Sequence, residues 1–415
     1  AERRSCRGVG AVTVGGAGRV ASLDLLRGVA ILGILPMNIL AFALVPAAYQ
    51  NPLAMGEISA GEWWSWRFTH LLFDQRFMTI FALMFGAGIA LLSQRPRPDG
   101  ASAAGRFYRR MAWLLVFGLV HAYGFWHGDI LVTYALCAML VFPMRRLGTG
   151  WLVAIALPLL AVPIMAWLLL SLALPLMPPD ALLEMEASWF PPDEQVRASI
   201  AAMQGSWLEQ MPERAVNAAL MQTFVFAIWS LWRVTGLMLL GIALLRSGFF
   251  SASWPLWRYV AGTLLGFASG IAITGWGLAR NEAIAYAMDD AMTIGQIFNF
   301  VGSLFGAFGW ACLVLTLARL GRPAWLLPSI EAVGRTSFSN YLFQTLACTT
   351  IFNGHGLGWF GLVDRVHLWL VVIGVWLAQI VLTGLWLRAF AIGPVEWLWR
   401  SLAEWRLLPI RPAQG

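Results

Sequence analysis

Apolar runs of about twenty residues recur along this chain, beginning near positions 22, 77, 111, 128, 151, 229, 257, 294, 330 and 368. A run of that length is what an α-helix needs to cross a bilayer. Inside lipid every backbone N–H and C=O must find an internal partner. Of the 415 residues 59% are hydrophobic and 12% charged, against about 25% charged in an average soluble domain. No stretch is left for a large soluble domain. The expected fold is all-α, a polytopic membrane helical bundle of about ten transmembrane helices with interfacial amphipathic helices.

The loops divide this bundle. Residues 1–18 are rich in Arg, Gly and Ala and lack the apolar centre of a signal peptide, so a flexible cytoplasmic tail is expected there. Membrane helices fill 19–172 and 215–392. Between them, 173–214 carries seven carboxylates against two arginines and is expected as an acidic outer loop. Residues 393–415, with PVEWLWRSLAEWR, form an amphipathic cytoplasmic tail, and GEWWSWRFTHLLFD before the second run suits the headgroup layer. The formal charge of +7 comes from arginines spread over alternate short loops. They orient the chain with both termini cytoplasmic and form no patch for nucleic acid. There is no lysine, which excludes a lysine nucleophile or Schiff base. Cys137, Cys312 and Cys348 fall inside apolar runs and Cys6 in the tail, without CxxC spacing. Core packing, not metal or disulfide, is expected of them.

A few polar side chains interrupt the apolar runs, and such residues usually face protein or water and mark function. The first run, SLDLLRGVAILGILPMNILAFAL, holds Asp24, Arg27 and Asn38. Eleven positions separate Arg27 from Asn38, placing them on one helix face about 16 Å apart. An Asp24–Arg27 pair and an interhelical hydrogen bond from Asn38 are the structural explanations. His121, His127 and Asp129 flank a turn at Gly128. Across it Asp129 is expected either to cap the next helix or to orient His121 as a base, with His127 solvated. In EAVGRTSFSNYLFQT, Glu331 and Arg335 are spaced to pair, while Arg335 could instead meet a phosphate. Arg76 and Arg233 are further anion-site candidates, with snorkelling or salt-bridged arginines as the structural explanation. No GxSxG, Walker, HExxH or Rossmann pattern occurs in a suitable context.

The runs RVASLDLLRGVAILGILPMNI, AAYQNP, RFMTIFALMFGAGI, GLVHAYGFWHGDIL, GLMLLGIALLRSG, VGRTSFSNYLFQTLACTTIF and GPVEWLWR resemble the bacterial YeiB family over nearly the whole chain. That resemblance implies a multi-pass protein of the bacterial inner membrane with a C-terminal domain of unknown function. More distantly the chain is similar to transmembrane acyltransferases of the acyltransferase-three and heparan glucosaminide acetyltransferase types. Their first span carries an arginine followed eleven residues later by histidine or asparagine, matched here by Arg27 and Asn38. The chain departs where the lysosomal enzyme has its catalytic histidine: PAAYQNP follows instead, and no histidine occurs before His70.

The function these resemblances imply is transfer of an acyl group from cytoplasmic acyl-CoA to a hydroxyl or amine acceptor at the outer side. In that scheme Arg27, Arg335 and Asp24 form the cofactor-binding end, Asn38 orients the thioester, and His121 with Asp129 replaces the missing base. The expected partners are the lipid bilayer, acyl-CoA and the acceptor, with no metal; self-association is left open. The alternatives are a small-molecule transporter or exporter, in which the buried charges form the path, and a non-catalytic membrane sensor or partner protein.

Overall fold

A computed structural model describes residues 21–94 and 102–411; the expected tail of residues 1–18 and Cys6 lie outside them. Among the described residues all regular structure is helical. Helix α1 (Ala21–Ala43) is the central element and contains Pro36. Proline has no N–H, so the Leu32 carbonyl one turn back loses its helical partner. Trp376 Nε1 donates to that carbonyl at 2.8 Å, and Gln344 Nε2 to the adjacent Ile31 carbonyl at 2.7 Å. A local sequence defect thus fixes two distant helices against α1.

Helix α2 (Ala60–Leu72) opens with a reciprocal Ser59–Glu62 cap. A turn at Gln75, with φ of 58°, leads into α3 (Arg76–Gln94). Helices α4 (Ala103–Gly124) and α5 (Leu131–Met144) form a hairpin, followed by α6 (Thr149–Ala173). The acidic stretch is helical: α7 (Pro179–Trp189), α8 (Asp193–Gln204) and the start of α9 (Met211–Leu220). It is tied to one end of the bundle by Asn51 Nδ2 to the Trp189 carbonyl at 2.9 Å and Trp189 Nε1 to the Tyr286 carbonyl at 2.8 Å. A π-helical stretch, Met221–Ser230, joins α9 to α10 (Leu231–Arg246).

Helices α11 (Leu256–Ala283), α12 (Met288–Ala291) and α13 (Ile294–Leu320) follow, then α14 (Leu327–Arg335), α15 (Ser337–Phe352), α16 (Leu368–Ala389) and α17 (Pro394–Glu404). Among the described residues seven helical stretches are long and apolar enough to span a membrane. The three other expected crossings are α4, whose first turns carry Arg106, Arg109 and Arg110, and two short helices. With 14 and 16 residues, α5 and α15 measure about 21 and 24 Å, short of the roughly 30 Å hydrocarbon core. Seven helical stretches thus meet the length and composition of a crossing, against the ten expected.

The run expected as one span over 330–352 is two helices, broken at Thr336. The break is stabilised from outside the run. The buried Glu396 carboxylate of α17 accepts the Phe338 N–H at 2.7 Å and the Ser339 N–H at 3.2 Å, capping α15. So the C-terminal amphipathic helix does not merely lie on lipid. It also packs on the start of α4, with Trp399 Nε1 donating to the Arg110 carbonyl at 2.8 Å and Arg109 Nε to the Ala403 carbonyl at 3.0 Å.

Close helix crossings depend on glycine, as expected where lipid supplies no hydrophobic drive between helices. At the α1–α14 crossing a Cβ on Gly28 would lie 2.0 Å from the Ile330 carbonyl oxygen, and one on Gly334 would lie 1.7 Å from that of Asp24.

Candidate functional site

Asp129 lies in the turn after α4, and its two oxygens do different things. Oδ2 accepts the Val132 N–H at 2.8 Å, capping α5. Oδ1 lies 2.7 Å from His121 Nδ1. Capping and orienting, alternatives in the sequence, coexist because each uses its own oxygen. An ionised carboxylate only accepts, so the hydrogen is assigned to Nδ1, leaving Nε2 as a lone pair. That lone pair faces Thr345 Oγ1 at 2.9 Å. The result is a buried carboxylate, imidazole and hydroxyl in series, with Thr345 contributed by α15. Local sequence offers no signal for Thr345, 224 positions from His121.

Packing holds this chain of groups rigidly. Tyr341, one turn before Thr345, accepts the Ile130 N–H at 3.3 Å and sets its ring 5.2 Å from that of His121. Gly118, one turn before His121, admits α5 so closely that a Cβ there would lie 2.7 Å from Val132 N, the amide that Asp129 caps.

Asn38 is half-buried and makes no hydrogen bond to any described residue, so the interhelical bond expected of it is not formed there. One helical turn on is Phe42, stacked on Trp126 at 4.1 Å; Trp126 in turn meets His121 edge-on at 6.3 Å. Asn38 therefore shares a face of α1 with the aromatic wall of the His121 site. At the opposite end of α1, Arg27 Nη1 pairs with Asp24 at 2.9 Å. Gly334 packs on the Asp24 carbonyl, so the next residue, Arg335, lies at that same crossing. Arg335 reaches the Ala391 carbonyl at 3.4 Å, while its Nε is buried without a partner among the described residues.

Three expectations for other polar residues change. His127 is half-buried instead of fully solvated: it lines a cavity of about 20 Å³ together with Phe42, Trp126, Arg214, Thr349 and Asn353. Burial first, then the Arg214 guanidinium, lowers its pKa to about 4, so the ring is neutral at physiological pH. Arg233 does not snorkel and forms no salt bridge with any described residue. It is 0% exposed and donates to Thr79 Oγ1 at 2.8 Å and Ser303 Oγ at 2.9 Å, with Phe300 beneath it at 4.3 Å. Arg76, also buried, donates to the carbonyls of His70 at 2.7 Å and Asp74 at 2.8 Å and to Thr274 Oγ1 at 3.0 Å. Cys137, Cys312 and Cys348 are buried free thiols.

Comparison with known proteins gives a consistent picture. A family described as a protein of unknown function (DUF418) matches residues 244–406. The uncharacterized protein YeiB of Escherichia coli K12 is 34% identical over 392 residues, 92% of this chain and 96% of that one. The uncharacterized protein YxaH of Bacillus subtilis 168 is 28% identical over 410 residues, 94% and 96% of the two chains. An uncharacterized 39.9 kDa protein from the amylase 3′ region of Bacillus acidopullulyticus is 25% identical over 399 residues, again 94% and 96%.

Proposed function

We propose, from the premise that this chain belongs to the YeiB family of multi-pass membrane proteins, that it transfers an acyl group from a CoA thioester to a hydroxyl or amine acceptor. One observation supports this above the others: Asp129, His121 and Thr345 stand in hydrogen-bonded series within a buried site. A carboxylate that fixes the Nδ1–H tautomer leaves Nε2 as general base. Asp129 acts as a positioning residue.

In the proposed reaction the acceptor oxygen or nitrogen displaces Thr345 Oγ1 from Nε2, or delivers its proton through that hydroxyl. The acceptor attacks the thioester carbonyl, the carbon–sulfur bond breaks, and the proton held by His121 goes to the leaving thiolate. Asn38 Nδ2–H, uncommitted to any described residue, is available to the developing oxyanion. At the Asp24–Arg27 end, Arg335 offers a buried, unpartnered Nε–H to a phosphate.

The arginines of α1, of the α4 start and of α17 gather at that same end. Under the positive-inside rule this supports a cytoplasmic assignment for it, for both termini, and for an inner-membrane location. The acidic helices α7 and α8 then face outward beside the acceptor route.

Release of free thiol from acetyl-CoA by the purified protein in proteoliposomes tests the proposal. Turnover that falls at least about a hundredfold in His121→Gln is expected. Wild-type protein that neither binds CoA nor releases thiol overturns it.

A second reading has its own support. Arg233 and Arg76 are buried in the bundle interior without a carboxylate of the described residues in hydrogen-bond contact, as charges lining a transport path would be. Substrate flux in proteoliposomes without acyl-CoA would favour it.

A further inference from the structure

A second cavity lies at the α7–α8 end of the bundle, between the α2–α3 turn, α11 and the start of α13, away from His121. Four buried side-chain oxygens around it have no hydrogen-bond partner among the described residues. Asp74 is 4% exposed; its Oδ2 accepts from Asn299 Nδ2, and its Oδ1 is buried with no partner among the described residues. Gln75 Oε1, Asn281 Oδ1 and Asn299 Oδ1 are likewise buried and unpartnered, and all four residues line the cavity. The Asn299 assignment is fixed chemically: its amide nitrogen serves the carboxylate, so its oxygen must be the free atom. His70 also borders it, with Nδ1 at 3.1 Å from the Trp66 carbonyl and Nε2 at 3.7 Å from Asp74 Oδ2.

The nearby guanidinium is already committed. Arg76, the next residue after Gln75, gives its hydrogens to two backbone carbonyls and Thr274, not to the Asp74 carboxylate. Buried polar groups are normally satisfied, and a cluster of exceptions calls for an occupant that satisfies them. Size limits that occupant. The cavity measures about 40 Å³, against about 10–15 Å³ for one water by the same kind of measure, so it holds a few water-sized groups and no acyl chain. One carboxylate with neutral amide oxygens suits a single positive charge, and the Trp66 and Tyr286 rings lining the same cavity suit a cation as well.

We propose that this cavity binds a small monovalent cation, a sodium, potassium or ammonium ion, held by the Asp74 carboxylate and the side-chain oxygens of Asn281 and Asn299. The site stands independently of acyl transfer, since none of its residues belongs to the His121 constellation.

The test is thermal unfolding of the purified full chain in detergent, followed by tryptophan fluorescence. The chloride salts of sodium, potassium, ammonium and N-methylglucamine are compared at constant ionic strength; the last cation is too large for the cavity. A saturable rise in Tm with at least one of the small cations is expected, and the salts that act identify the ion. Asp74→Asn can keep the contact to Asn299 while turning the cavity-facing oxygen into a donor, so it should weaken the half-saturating concentration at least tenfold. Asn281→Ala, whose side chain makes no hydrogen bond to a described residue, should weaken it severalfold and serves if Asp74→Asn does not fold. Identical melting in all four salts means that water alone fills the cavity and overturns the proposal. So does a cation response that survives unchanged in the variants.

Discussion

Thr345→Val removes one hydroxyl and almost no volume, so its effect isolates the hydrogen bond to His121. Nε2 is left buried without its donor, and a buried unsatisfied group costs about 1–3 kcal/mol. Equilibrium denaturation in detergent should show a loss of that size. Asp129→Asn is expected to cost as much, because it weakens the α5 cap and the His121 contact together. The sequence made the His121–Asp129 half of this site legible, since eight residues folded across a glycine turn leave few other places for the pair. Thr345 was not legible: it reaches His121 only through the packing of α15 on α1. Nor was the coexistence of cap and orienter, which depends on which oxygen faces which donor. The Asp24–Arg27 pair follows from i, i+3 spacing on one helix, whereas the acceptors around Asp74 come from separate elements and share no local pattern.

At the scale of elements, glycine and capping residues decide how the site is assembled. Gly118→Ala would push a Cβ against Val132 N, forcing α4 from α5 at a cost of about 1–3 kcal/mol. Gly88→Ala, with nothing within 4 Å of the added carbon, should be neutral or slightly stabilising, and the two together separate steric from propensity effects. Asp364 caps the start of α16 through the Val366 and His367 amides at 2.9 and 3.0 Å. Burial pushes its pKa up, but hydrogen bonds from the His367 amide and ring and from Val366 outweigh that and hold it below its ordinary 3.8. A carboxyl with a lowered folded pKa contributes stability above its unfolded value and loses it as pH falls through the folded one. Asp364→Asn should therefore flatten the acid limb of a stability–pH profile below about pH 4, where the wild type still declines. The long apolar helices were legible from hydropathy alone. The break at Thr336 was not, because the carboxylate that caps α15 comes from Glu396, 57 positions beyond Ser339.

At the scale of the whole molecule, α1 links two polar ends. Asp24, Arg27 and Arg335 sit at one, and the His121 series with the Asp74 cavity lies toward the other. The α17–α4 packing brings the C-terminal helix to the arginine-bearing end. A fluorescent protein fused after the last residue should fold and fluoresce in the cytoplasm, and an alkaline phosphatase fused there should be inactive; the opposite result would invert the proposed direction of transfer. Asp129, His121 and Thr345 are claimed to act as one unit, and groups that do so lose activity non-additively. The most direct test is the rate of thiol release by the His121→Gln/Asp129→Asn double variant beside its two single variants. The account predicts that the double falls no further than His121→Gln alone, within about twofold. Losses that multiply, or a His121→Gln protein as active as wild type, would contradict it.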